Sequence, residues 1–185
     1  MAIVTGLPHS GIIRLFQLES NKIEGIESTN NSEINALTLF LGLPKINISD
    51  LVDYVKVIQP NARARFVEGL DVKIYTSKPF AKGLDNINEY FPPPGGPEIH
   101  WSLQKILDKV NPLHTNHPYE IHQEYEALHP FTDGNGRSGR ALWAWHMLHV
   151  YGPYVLNIGF LHKWYYQSLE FGLSTCKCGG SCNCK

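Results

Sequence analysis

Apolar positions recur at helical spacing along most of the chain. Over residues 12–24 they fall at Ile12, Leu15, Phe16 and Ile23, and Gly25 ends the pattern. Ser32 and Glu33 precede a second run, INALTLFLGL, which stops near Gly42 and Pro44. A third, LVDYVKVIQ, is predicted to be capped by Ser49 or Asp50 and to end before Pro60. The period changes at residues 70–80, LDVKIYTSKPF, where Val72, Ile74, Tyr75 and Thr76 read as a short strand before a turn-rich stretch through Gly83 to Asn88. FPPPGGP at 91–97 excludes helix and central strand, since each proline lacks a donor and fixes φ. Four more helices are predicted at 98–110, 117–128, 135–150 and 159–172. The pattern describes a mainly α domain with one small β-hairpin.

Bulk composition narrows the class. At 185 residues the chain suits one domain with a real core. The formal net charge is −1, from 16 basic and 17 acidic side chains, so there is no basic surplus of the kind nucleic-acid binding uses. No stretch approaches the ~20 apolar residues of a membrane span, and the apolar N-terminus lacks the basic region of a secretory signal. The first 175 residues contain no cysteine, which favours a cytoplasmic setting over a disulfide scaffold.

The chemistry concentrates in one stretch, His129-Pro130-Phe131-Thr132-Asp133-Gly134-Asn135-Gly136-Arg137-Ser138-Gly139-Arg140. It lies between two predicted helices. Gly134 and Gly136 let the backbone turn its N–H groups inward, and the following helix N-terminus adds a positive dipole end, so the segment is an anion nest suited to phosphates. Arg137 and Arg140, three apart on the first turn, are expected to face one side and to hold a polyphosphate. Asp133 offers a hard oxygen to Mg²⁺, and a neutral His129 can take a proton from an incoming hydroxyl. A glycine-rich turn carrying surface arginines would be the plain reading of any one of these features. About seven positions would have to coincide for it to explain them all.

These residues resemble the Fic family signature HxFx(D/E)GNGRxxR without a departure, and residues 70–169 resemble a Fic core. The resemblance implies a single-domain, helical Fic fold with a small β-hairpin flap, and AMP transfer from ATP to Ser, Thr or Tyr of a target protein. It implies that His129 is the general base, Phe131 the apolar anchor and Asp133 the metal ligand. Gly134, Asn135 and Gly136 would form the ATP-phosphate nest, and Arg137 and Arg140 would hold the β- and γ-phosphates. The implied division is an N-terminal segment over 1–30, a Fic core over 31–172 and a Cys-rich tail over 173–185.

Ser20-Asn21-Lys22-Ile23-Glu24-Gly25 resembles the inhibitory motif (S/T)xxxE(G/N) of one Fic class. Spacing puts Ser20 and Glu24 on one helix face. In that class the glutamate pairs with the second motif arginine, here Arg140, and displaces the γ-phosphate. A capping serine and a solvated glutamate are the plainer alternative. Residues 72–80 resemble the family flap, along which an extended target segment can add a strand, and dimers that stabilise the inhibitory helix are common in the family. The same site could instead remove AMP or transfer another phosphate-containing group. A module that only binds nucleotide would have no need of His129.

The remaining features read as packing. Leu142, Trp143, Trp145 and Leu148 lie on a helix apolar nearly all round and are expected in the core. His146 and His149 read as packed or surface residues, and so do Tyr165 and Tyr166, whose alternative place is an adenine pocket. Cys176, Cys178, Cys182 and Cys184 could encircle one soft metal ion. A disordered tail or an appended sequence explains them as well.

Overall fold

The computed structural model describes residues 8–75, 89–111, 118–153 and 156. Its helices are α1 (Ser10–Ile23), α2 (Asn31–Leu41), α3 (Ile48–Ile58), α4 (Pro97–Val110), α5 (Pro118–Leu128) and α6 (Asn135–Tyr151). The mainly helical expectation holds. Helix 159–172, Tyr165, Tyr166 and the four cysteines lie outside the described residues, and none of the described helices is long and apolar enough to cross a membrane.

Among the described residues the flap expected over residues 72–80 is not seen as a complete hairpin. The described residues show a two-residue antiparallel pairing of β1 (Ile74–Tyr75) with β2 (Glu89–Tyr90), and residues 76–88 are outside the described set. Helix α2 begins at Asn31, and Asn30 caps it by accepting the Glu33 N–H at 3.0 Å. For α3 the cap is Asn47, whose own N–H donates to the Asp50 carboxylate at 2.7 Å. Asp50 thus closes the first turn from its third position, where a carboxylate also meets the positive end of the helix dipole.

α6 runs through the middle of the molecule, packed on α5, α2, α3 and α1, while α4 lies against α5 and α3. Its burial is nearly all round. Leu142, Trp143, Ala144, Trp145 and Leu148 join Phe16, Leu37, Leu41, Leu51, Leu103 and Tyr125 in one core. The Trp145 indole N–H is satisfied by the Leu43 carbonyl at 2.7 Å, and His149 stacks on the same ring at 4.0 Å. His146 is buried, so both histidines of this helix belong to packing, as expected.

Gly139 lets α5 and α6 approach closely. A Cβ there would stand 2.4 Å from Glu126 Oε1 and 2.9 Å from a ring carbon of Tyr125. The same interface is fastened by the Tyr125 hydroxyl, 2.7 Å from Ser138 Oγ. Seated in this way, the N-terminus of α6 opens next to the last turn of α5.

Candidate active site

The chain leaves α5 through His129, the one non-glycine residue with positive φ (52°) among those described. It enters α6 through Gly134, whose φ of 77° lies in the left-handed region where a side chain is strained. Between them the Asn135 carboxamide makes a closed pair with Phe131, accepting its N–H at 2.9 Å and donating to its carbonyl at 2.8 Å. The Phe131 side chain is buried, as the apolar anchor should be. Asn135 is therefore a loop lock. What it can still offer an anion is its main-chain N–H, which with those of Gly136 and Arg137 lacks an intrahelical acceptor.

A second segment runs antiparallel to this loop. Arg65 N–H donates to the Pro130 carbonyl, Thr132 N–H to that of Arg63, and Arg63 N–H to Thr132 Oγ1, all at 2.9 Å. Arg65 is fully buried with no ion pair among the described residues, and its guanidinium donates to the carbonyls of Leu70 (2.7 Å), His129 (2.6 Å) and Pro93. Burial pushes its pKa down, and Asp71 works against that. Fixing the His129 carbonyl holds a residue that would otherwise leave its left-handed conformation.

His129 Nδ1 lies 3.4 Å from the Glu126 carbonyl oxygen. A carbonyl can only accept, so Nδ1 carries the hydrogen and Nε2 the lone pair. Burial is the main reason its pKa falls to about 4. The Glu126 backbone contact, Glu24 and Asp133 raise it, and Arg65 lowers it. The ring is neutral at pH 7, with a basic nitrogen ready for a proton.

The two motif arginines do not face one side, contrary to the expectation from their spacing. Arg137 turns to the end of α3, where Nη1 donates to the Ile58 carbonyl and Nη2 to Gln59 Oε1, both at 2.8 Å. Its Nε is buried and has no hydrogen-bond partner among the described residues. Asp133 is exposed, its Oδ1 accepting the Gly134 N–H at 2.6 Å and its Oδ2 the Gln59 side-chain N–H at 2.5 Å. No group of three or more His, Cys, Asp or Glu side chains that could hold a metal gathers among the described residues. One exposed carboxylate fits Mg²⁺ as the companion of a phosphate, since this ion commonly takes one or two carboxylates plus substrate oxygens and water.

Arg140 turns the other way, to α1. Its Nε donates to Ser20 Oγ at 2.8 Å, and Nη2 donates to the Ser20 carbonyl at 2.9 Å and to Glu24 Oε1 at 2.6 Å. The arginine side chain is 1% exposed and the glutamate 38%. The Glu24 carboxylate also overlies the first turn of α6, because a Cβ on Gly136 would stand 2.4 Å from Oε1. A negative group thus rests on the N-terminus of a helix and on a buried arginine.

α1 reaches this position by an unusual inner face. Besides Ser20, it buries Gln17 and Asn21. The Tyr54 hydroxyl donates to Gln17 Oε1 at 3.1 Å, Gln17 Nε2 to Asn21 Oδ1 at 3.0 Å, and Asn21 Nδ2 to Glu33 Oε2 at 2.8 Å. Such a chain fixes the register of α1 against α2 and α3, since a one-residue slip would leave several buried polar groups unpaired. Gly25, at φ 78°, ends the helix immediately after Glu24.

Glu126 is the other acid near Arg140. Its Oε1 is buried with no hydrogen-bond partner among the described residues, and His122 Nε2 stands 3.9 Å away. Burial raises its pKa to about 7, with Glu24 adding to the rise and Arg140 opposing it. His122, one turn earlier, is held neutral by burial and by Arg140, its pKa lowered to about 3.

Of the residues expected at the site, His129, Asp133, Gly134, Asn135, Gly136, Arg137, Arg140, Ser20 and Glu24 all converge on the N-terminus of α6. Residues 73–147 match the family model of the Fic/DOC family. That match supports a Fic domain, and Fic proteins are in general transferases of AMP or other phosphate-containing groups. No curated protein matches the chain. Gln59, Arg65 and Glu126 were not among the residues expected at this site. Gln59 ends the third predicted helix and Arg65 follows it, both roughly 65–70 residues before the motif, and Glu126 looks like any solvated acid on a helix.

Proposed function

We propose that this protein is a protein adenylyltransferase, moving AMP from ATP to a Ser, Thr or Tyr hydroxyl of a target, and that Glu24 restrains it. The observation that carries the reading is the Glu24 carboxylate resting on Arg140 and on the first turn of α6. That place has the two features that bind phosphate, a helix N-terminus and a guanidinium fork. A carboxylate there competes with the γ-phosphate for Arg140, so ATP that does enter is turned away from the reactive pose.

In the active pose the target hydroxyl attacks the α-phosphorus, and His129 Nε2 takes its proton. A new O–P bond forms, the bond to the bridging oxygen breaks, and pyrophosphate leaves with its charge held by the nest, Arg137 and Arg140. Mg²⁺ held by Asp133 would neutralise phosphate charge. Most of the rate would come from positioning and electrostatics. The proposed division assigns residues 1–30 to the restraint and 31–172 to the catalytic core, with the target lying along residues 72–80.

The test is incubation of the Glu24→Gly protein with ATP labelled on the α-phosphate and a cell lysate. Label should enter discrete proteins and the enzyme itself. Transfer of γ-label alone would mean phosphate transfer. Loss of label from a pre-modified target with unaltered protein, dependent on Glu24, would instead mean AMP removal.

A further inference from the structure

Gln59 is the C-cap of α3, and both ends of its carboxamide are engaged at the site. The oxygen accepts from Arg137 Nη2 at 2.8 Å and the nitrogen donates to Asp133 Oδ2 at 2.5 Å. Its aliphatic stem lies against Gly134, where a Cβ would stand 3.3 Å from Gln59 Cβ. The backbone is pinned as well, with Gln59 N–H donating to the Val55 carbonyl at 2.7 Å and the adjacent Ile58 carbonyl receiving Arg137 Nη1.

Few side chains can bridge this pair. Arg137 has only donors and needs an acceptor, while an ionised Asp133 has only acceptors and needs a donor. A carboxamide supplies one of each on a single planar group. A glutamate would satisfy the arginine and repel the aspartate, and a lysine would do the reverse.

We infer that Gln59 is a positioning residue of this site, tying Arg137 and Asp133 to one carboxamide so that the phosphate-holding and cation-holding groups keep a fixed relation to the nest. The inference rests on the ATP reading above for its consequence, though not for its geometry. With the bridge in place, two Arg137 donors are committed to the end of α3. Without it, the guanidinium and the carboxylate can pair directly, which would remove both from the ligand.

The experiment uses Gln59→Met, close in volume and without either hydrogen-bonding group, in the full-length Glu24→Gly protein. Affinity for a nonhydrolysable ATP analogue, measured by calorimetry with Mg²⁺, should fall about tenfold, the usual loss for hydrogen bonds to charged groups. The Arg137 Nε–H resonance in ¹⁵N spectra of the ligand-free protein should shift. A Tm above the titration temperature shows that the variant is folded where affinity is read. Affinity within twofold of the parent overturns the inference. If the Glu24→Gly parent itself fails to bind the analogue, the ATP reading fails, and the spectra alone decide. A shifted Arg137 signal then upholds the bridge, and an unmoved one rejects it.

Discussion

Glu24 and Arg140 stand 116 residues apart in the chain and 2.6 Å apart in space, a partly exposed carboxylate on a buried guanidinium. The pair is asymmetric. The arginine has Ser20 as a second partner, whereas the carboxylate has a path to solvent. Glu24 is the member that can be displaced.

Replacing Glu24 by Gly should therefore raise AMP transfer and self-modification by about 10–100-fold, the worth of a hydrogen bond to a charged group. Arg140→Ala in that background should reverse most of the gain. A double-mutant cycle on initial transfer rates reads the coupling. Two substitutions that act independently would refute the proposed restraint.

His129→Ala should lower transfer by ~10²–10⁴-fold, the usual cost of losing a general base. ATP affinity should hardly change, since the ring faces the incoming hydroxyl and not the phosphates. The pH dependence has a definite sign. The folded pKa of about 4 lies below the ordinary value of 6.5, so the base form already predominates above about pH 4. The initial rate should show no acid limb near pH 6.5. A rate that halves there would mean that a different group carries the proton.

Glu126→Gln should stabilise the protein at pH 8 by on the order of 1–3 kcal/mol, with the gain gone by about pH 4.5. The folded pKa of about 7 lies above the unfolded value of 4.5, so the native state binds this proton more tightly. The parent loses stability as pH rises from about 4.5 to about 7 and is level above, whereas the amide never ionises. His129 titrates in both proteins and cancels in the difference, and His122, 3.9 Å from the Glu126 carboxylate, is neutral at both pH values. Urea denaturation of the two proteins at pH 5 and pH 8 measures it, and an equal difference at both would contradict the assignment.

Arg65→Lys keeps the charge but cannot reach the same carbonyls with one ammonium group. Stability should fall by on the order of 2–4 kcal/mol, since several buried carbonyls lose their donor. At temperatures where the variant remains folded, kcat should fall more than KM for ATP rises, because the loosened element is the one that aims His129. A variant with parental kcat and lowered Tm would confine Arg65 to a purely structural role.

The sequence by itself determined the six described helices and the contiguous run of polar groups between α5 and α6. Helical periodicity is a local property, and the residues from His129 to Arg140 are contiguous, so their types and spacing stand in the order in which the fold uses them. Only the tertiary structure decided how the two arginines divide. Side chains three apart on a helix start near one another, but each is long enough to follow its partners. Arg137 follows the carbonyl of Ile58 and the amide of Gln59, and Arg140 follows Ser20 and Glu24. The same reason hid Arg65 and Gln59, which carry no local signal and acquire their roles from main-chain groups brought beside them by folding. Burial decided the protonation states. His129 and Glu126 have ordinary identities in the chain, and their shifted pKa values arise mainly from water excluded by the packing of α5 against α6.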